Sequence, residues 1–434
     1  MLRFLYTVAM YIATPVIVWR LIVRGVRYHG YFRRWRERFG RFPDPGLQDS
    51  IWVHAVSVGE VNAALPLIEA LRRRYAPRPM VVTTVTPTGS ERIRKVFGGE
   101  VFHVYLPYDL PRAVEHFLDR VRPTLAVVME TEIWPNLFHQ CGRRGILLTM
   151  VNARLSERSL RSYKPIRPLV REALENVALI AAQSHADAHR YRTLGAVAAR
   201  VHVSGNLKFD SSLPKDVRKL GEELRRQWGE MRPVWIAAST HEREELAAFE
   251  AHLKVLARMP DALLLIAARH PERFRLVEHA ARNLGFAFAT DSAGDAGPET
   301  QCLVIDAMGA MMRYFAACDL AFVAGSLVPI GGHNVLEPAA LSKPVLVGPH
   351  TFNFEEITRT MVDAGGARRV ASAHELGAAV LELLRDPVER ARMGAAAYRV
   401  YAGERGAVRR TMLLLDRVFA RARYDASVGG NPDD

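Results

Sequence analysis

The chain has 434 residues, 49% of them hydrophobic and 24% charged, which supplies two globular cores and excludes a disordered chain or a bundle of membrane spans. Three scattered cysteines, Cys141, Cys302 and Cys318, exclude a disulfide framework and a thiolate metal site, and they point to a reducing compartment for the body. A formal net charge of +13 asks for an anionic partner, and its distribution decides which.

The first predicted element is apolar. No charge occurs from Phe4 to Trp19, and Leu21, Ile22 and Val23 prolong the run past Arg20, about the length that spans a bilayer at ~1.5 Å per residue. Arg20, Arg24, Arg27, Arg33, Arg34, Arg36, Arg38 and Arg41 follow, against the single acid Glu37. Arginines on the carboxyl side of the apolar run argue against a cleaved signal peptide. By the positive-inside rule they predict a single-pass anchor over residues 1–24, with the body on the cytoplasmic side. An interfacial helix in the headgroup plane is the alternative, because Arg20 would have to snorkel. In either arrangement Arg33, Arg34, Arg36 and Arg38 are expected to face anionic lipid, with Phe32, Trp35 and Phe39 at the interface. No motif supports binding of nucleic acid.

After Pro43 and Pro45, short β-branched runs alternate with helix-length amphipathic segments: Ile51–Val56, Met80–Thr86, Val101–Leu106, Leu125–Met129, Ile146–Val151, Leu179–Gln183 and Val201–Val203. The pattern restarts at Val234–Ala238, Leu263–Ala267, Leu303–Ile305, Leu320–Val323 and Val345–Val347. Such alternation predicts parallel sheets with helices on both faces. The expected organisation is α/β, with two Rossmann-like doubly wound domains facing across a cleft. They cover 25–212 and 213–424, are joined near 210–216, and are followed by a disordered tail over 425–434. The helices from about Pro387 to Arg423 are candidates to cross back to the first domain.

Chemistry is expected at the carboxyl ends of the strands. The first strand runs into His54-Ala55-Val56-Ser57-Val58-Gly59-Glu60. Glu60 suits a general base for a sugar hydroxyl, and it equally suits a first-turn acid complementing the helix dipole. The spacing is not that of a dinucleotide-binding loop, which argues against NAD. The fourth strand ends in Met129-Glu130-Thr131-Glu132-Ile133-Trp134-Pro135-Asn136. No Asp-x-Asp or His cluster completes a cation site there, so Glu130 reads as a positioning or charge-stabilising acid, or as a helix-capping one. Asn152-Ala153-Arg154 adds a polar lip, and Ser204-Gly205-Asn206-Leu207-Lys208-Phe209-Asp210 brings a lysine able to neutralise a phosphate leaving group. In the second half, Thr240-His241 and Arg269-His270-Pro271 each follow a strand and can donate to phosphate. Gly325-Ser326-Leu327 leads to Gly331-Gly332-His333-Asn334-Val335-Leu336-Glu337-Pro338. There, adjacent glycines allow backbone contact with phosphate, and Glu337 can accept from ribose hydroxyls.

This ordered set, with Gly348-Pro349-His350-Thr351-Phe352-Asn353-Phe354 behind it, resembles the family of 3-deoxy-D-manno-octulosonic acid (Kdo) transferases. The resemblance runs from the anchor to about residue 360. It implies a GT-B fold and an inverting, metal-independent glycosyltransferase without a cofactor, moving Kdo from CMP-Kdo to a lipid A precursor (lipid IVA) in lipopolysaccharide biosynthesis. Donor binding would fall to the second domain and acceptor binding to the first. Glu60 matches the family's general base, and Glu130 and Lys208 match positions of transition-state stabilisation. Arg269 with His270, the turn Met308-Gly309-Ala310, and Asn334, Val335, Leu336 and Glu337 match CMP contacts. Ala310 departs from the acid often found there, so only the backbone role of that turn carries over. Competing readings are a GT-B enzyme using a UDP-sugar, a membrane-tethered nucleotide-binding protein without turnover, and, most distantly, an NAD-dependent oxidoreductase.

Overall fold

The structure, a computed structural model, describes residues 1–210, 213–294, 296–307 and 309–428, with side chains for all of these except Arg27 and 423–428. Two compact units emerge, Met1–Ser211 with Arg405–Asp434, and Ser212–Glu404.

In the first unit, strands β1 (Ser50–His54), β2 (Met80–Thr84), β3 (Phe102–Tyr105), β4 (Pro123–Met129), β5 (Leu147–Ala153), β6 (Val177–Ala182) and β7 (Val201–Val203) form a parallel sheet. Its order is β3-β2-β1-β4-β5-β6-β7. Successive residues of β1 alternate between two cores. Trp52 packs in one with Val81, Ala126 and Val128, while Ile51 and Val53 join Val82, Leu125 and Val127 in the other. Burial on both faces is why these strands read as unbroken apolar runs.

The second unit repeats the plan with β8 (Val234–Thr240), β9 (Leu263–Ala268), β10 (Phe288–Thr290), β11 (Cys302–Val304), β12 (Leu320–Val323), β13 (Val345–Val347) and β14 (Ala367–Arg369), in the order β10-β11-β9-β8-β12-β13-β14. Every run predicted from the sequence is a strand. The two strands it does not reveal, β10 and β14, are three-residue sheet edges with half-exposed positions, too short and too mixed to show an apolar run.

The final helix, Ala407–Val428, belongs to the first unit. Ala407, Leu415 and Phe419 complete the core around Ile51 and Val53, and Asp210 accepts from the backbone N–H of Gly406 and Val408 at its start. The expected segment 213–424 therefore gives up its last helix. That helix also enters the expected tail 425–434, of which 429–434 lie outside the described residues.

The amino-terminal helix α1 (Leu2–Arg27) is long and apolar enough to cross a membrane by length and composition. It nonetheless contacts its own unit at both ends. Arg3 pairs with Glu172 at 3.4 Å, Tyr6 donates to Asp109 Oδ2 at 3.0 Å and Thr7 to Asn136 Oδ1 at 3.0 Å, while Leu21 and Gly25 are buried near the other end. The arginine collar is not uniform either. Arg38 is 2% exposed, donates to Val85 O and lies 4.3 Å from the Tyr105 ring centre. Arg34 pairs with Glu37 and donates to His103 O. These two arginines brace the fold instead of facing lipid, and Arg33 and Arg36 remain exposed.

Candidate active site

In a doubly wound sheet a crevice opens where the strand order reverses. In the first unit this point lies between β1 and β4, whose carboxyl ends carry Glu60 and Glu130. Ser57 caps the next helix, α2 (Val58–Tyr75), accepting from Glu60 N, and Glu60 Oε2 in return accepts Val56 N–H at 2.8 Å. The exchange is close to a capping box, with the N–H of Val56, one residue before the N-cap, in place of the N-cap's own, and Glu60 does stand in the first turn, where an acid complements the helix dipole. This arrangement leaves the carboxyl half-buried, and burial lifts its pKa to about 7. Neighbouring Glu130 and Glu132 push it further up, while Val56 N–H and Lys208 pull it down.

Glu130 has φ +56°, a left-handed conformation that costs a non-glycine residue of order ~1–3 kcal/mol. Its N–H bonds Val151 O, and its carboxylate accepts Lys208 Nζ at 3.0 Å and, at 3.5 Å, Asn152 Nδ2. Asn152, also left-handed at φ +51° and fully buried, accepts Leu207 N–H and so fixes the loop that delivers Lys208. Glu132 accepts the Trp134 indole N–H at 2.9 Å, and burial raises its pKa. The three predicted residues Glu60, Glu130 and Lys208 thus come together, with Glu132 as a fourth charge.

The reversal point of the second unit lies between β8 and β12. His241, after β8, shares a hydrogen bond of 2.9 Å with His333, their rings stacked at 5.2 Å, and His270 packs edge-on against His241. Burial first, then the neighbouring His241 and Arg269, hold the His333 pKa down at about 4. Asn334 donates to Glu337 at 3.2 Å, and burial raises the Glu337 pKa against opposing effects of Asn334 and Arg269. Arg269 and His270 are exposed at the end of β9.

Two expectations need correction here. Gly331 and Gly332 both spend their N–H groups on Gly325 O. They serve a tight reversal at positive φ, where a Cβ on Gly331 would strike Asn353 and Phe352. Val335 and Leu336 are 1% and 2% exposed, so their side chains belong to the core. Gly309, at φ +85°, and Ala310 do form a turn ahead of the helix Met311–Ala317; Met308 lies outside the described residues.

Sequence reasoning missed Glu244. Its buried carboxylate accepts the N–H groups of Gly325, Ser326 and Leu327 at 2.7, 3.0 and 2.9 Å, and that of His241 at 3.1 Å. One acid therefore aligns the two strand-end loops that bear His241 and His333. The signal available was an acid four residues past the polar end of β8, which reads like any helix-start acid.

Paired doubly wound units of this kind are the GT-B architecture. A glycosyltransferase from Rickettsia africae aligns at TM-score 0.59 and 13% identity, covering 86% of this chain and 99% of that one. A UDP-GlcNAc 2-epimerase from Neisseria meningitidis aligns at 0.58 and 13%, covering 85% and 100%. These likenesses concern fold alone. Residues 33–211 match the profile of the family described as 3-deoxy-D-manno-octulosonic-acid transferase (kdotransferase). The 3-deoxy-D-manno-octulosonic acid transferase of Haemophilus influenzae is 42% identical over 425 residues, covering 97% of this chain and 100% of that protein. That of Bordetella pertussis is 38% identical over 435 residues, covering 95% and 99%. The chain belongs to the Kdo transferase family, and its activity is that of a glycosyltransferase of lipopolysaccharide synthesis.

Proposed function

We propose that the chain transfers Kdo from CMP-Kdo to a primary hydroxyl of a lipid A precursor, with inversion and without a metal. The observation that carries this reading is Glu60, a half-buried carboxyl with its pKa lifted to about 7 beside the Glu130–Lys208 pair. A base of that pKa is ionised about half the time near neutral pH and still takes a proton well. Glu60 removes the hydroxyl proton as the acceptor oxygen attacks the anomeric carbon of Kdo, and CMP departs with the bonding electrons. Lys208, aligned by Glu130, offsets the negative charge that develops. Arg269 and His270 hold the donor phosphate, Asn334 and Glu337 the ribose, and Gly309 and Ala310 contribute backbone only. Val335 and Leu336 act through their burial, which holds the Asn334–Glu337 segment in place.

Both acids after β4 already have donors, Lys208 on Glu130 and Trp134 on Glu132, which favours positioning over cation binding. The exposed arginines support an anionic membrane surface, which we assign to the cytoplasmic face of the inner membrane. The test is to incubate the protein with CMP-Kdo and a tetraacylated lipid A precursor and to resolve products by mass. The reading expects Kdo-bearing lipid, inhibition by CMP but not UDP, and an unchanged rate after exhaustive chelation. Inhibition by UDP alone, or loss with EDTA and recovery with Mg²⁺, contradicts it.

A further inference from the structure

On α1 the residues Arg3, Tyr6, Thr7, Met10, Ala13, Thr14, Ile17, Val18, Leu21 and Gly25 are half-buried or buried, and they recur at the three- and four-residue spacing of one helical face. On the opposite face Phe4, Ile12, Trp19 and Val26 are 70%, 73%, 65% and 68% exposed, forming a stripe that runs the length of the helix. A helix that crosses a bilayer must carry its first turns away from the globular body. Here the first turns hold the body. Tyr6 bonds Asp109, which is itself 1% exposed and accepts Asn136 N–H and Leu137 N–H at 2.9 and 2.8 Å. Thr7 bonds Asn136, and Arg3 pairs with Glu172. At the far end a Cβ on Gly25 would meet the Phe32 ring at 2.5 Å, so the helix lies flush on the turn that follows it.

Beside the stripe stand exposed Arg20, Arg24, Arg33 and Arg36 and the exposed aromatics Tyr28, Phe32 and Trp35. This is the composition of a surface half-immersed in an anionic leaflet, with cations at the phosphates and aromatic rings at the headgroups.

We propose that α1 does not cross the membrane but lies in the plane of one anionic leaflet, its stripe from Phe4 to Val26 immersed and its other face docked on the first unit. The proposal rests on the reading of this chain as a membrane-surface enzyme and adds the pose. It gives α1 the task of laying the first unit against the lipid, whereas a crossing helix would only tether it.

The test uses the full chain. The native cysteines are buried, so single cysteines introduced as Phe4→Cys, Ile12→Cys, Trp19→Cys and Val26→Cys can each carry a nitroxide. With the protein bound to vesicles of equal phosphatidylcholine and phosphatidylglycerol, depth is read from collisions with oxygen against a water-soluble nickel chelate. The in-plane pose gives four similar depths, roughly 5–10 Å below the headgroups. A graded profile with Ile12 deepest, about 15 Å from either surface, overturns it in favour of a crossing helix. Labels shielded from both colliders in a protein that is dimeric overturn it in favour of a second copy. Failure to bind vesicles at all overturns the membrane reading itself. As a second measurement, Arg3→Cys with Glu172→Cys should be joined by a short bismaleimide in the vesicle-bound protein; no cross-link there, with cross-linking retained in detergent, contradicts the docked pose.

Discussion

At Glu60 the capping bond to Val56 N–H and the raised pKa occur in the same side chain, so substitution can separate them. Glutamine keeps an acceptor for Val56 N–H but cannot take a proton. Glu60→Gln is expected to lower turnover by at least ~10²-fold while leaving CMP affinity unchanged. Between its ordinary 4.5 and about 7, the folded state holds a proton that the unfolded chain has lost, so native Glu60 subtracts stability as pH rises through that window. The glutamine variant should therefore melt no lower than the native protein at pH 8, by calorimetry. Near-normal turnover would remove Glu60 from the mechanism. Glu337→Ala should weaken CMP by ~1.5–3 kcal/mol, the scale of hydrogen bonds to a charged carboxylate; unchanged affinity by titration calorimetry would contradict the ribose assignment. Glu60, Glu130 and Lys208 were legible because each stands within five residues of the end of an apolar run, in the loop or helix start where a polar residue has little packing to do. Glu244 was not, because its partners Gly325, Ser326 and Leu327 are about eighty residues away in the chain. The spent N–H groups of Gly331 and Gly332 were equally out of reach, since a glycine pair looks the same whether it binds phosphate or its own backbone.

Among the elements, the interior strands announce themselves because both of their faces are buried. The edges β10 and β14 escape because one row of their neighbours is solvent. For α1 the sequence supplies the apolar length but not its docking, which depends on Asp109, a single acid before the helix Pro111–Val121 with no local motif around it. Its carboxylate takes three donors, Tyr6 OH, Asn136 N–H and Leu137 N–H, and the last two begin the helix Pro135–Arg143 that follows Glu130 and Glu132. Asp109→Asn turns an NH₂ toward one set of these donors and should destabilise the protein by about 1–3 kcal/mol. Tyr6→Phe removes a single donor and should cost less. Urea midpoints of the two variants check the order, and the reverse order would mean that α1, not the capped helix, depends most on this carboxylate.

Over the whole molecule, the chain order of the parts differs from their packing. The first unit is complete only when residues after Arg405 return to it, with Ala407, Leu415 and Phe419 filling its core and Arg410 bonding Ser204 O. The sequence marks the helices from about Pro387 to Arg423 as candidates for that return but not which of them makes it, because a terminal amphipathic helix fits either unit; the last one returns and the helix Pro387–Glu404 stays with the second unit. Residues 213–404 expressed alone should fold and bind CMP, whereas 1–211 alone should be insoluble or molten; a cooperative unfolding transition in 1–211 would contradict this division. The central claim, that a carboxyl group lifted to about 7 by burial and by its acidic neighbours serves as the base, is tested most directly by the pH dependence of kcat/KM for transfer from CMP-Kdo to the lipid A precursor. The account predicts that activity rises tenfold per pH unit on the acid side and levels off above about 7, where Glu60 is ionised. A profile flat from pH 5 to 8, or one that levels off near the ordinary carboxyl value of 4.5, would contradict it.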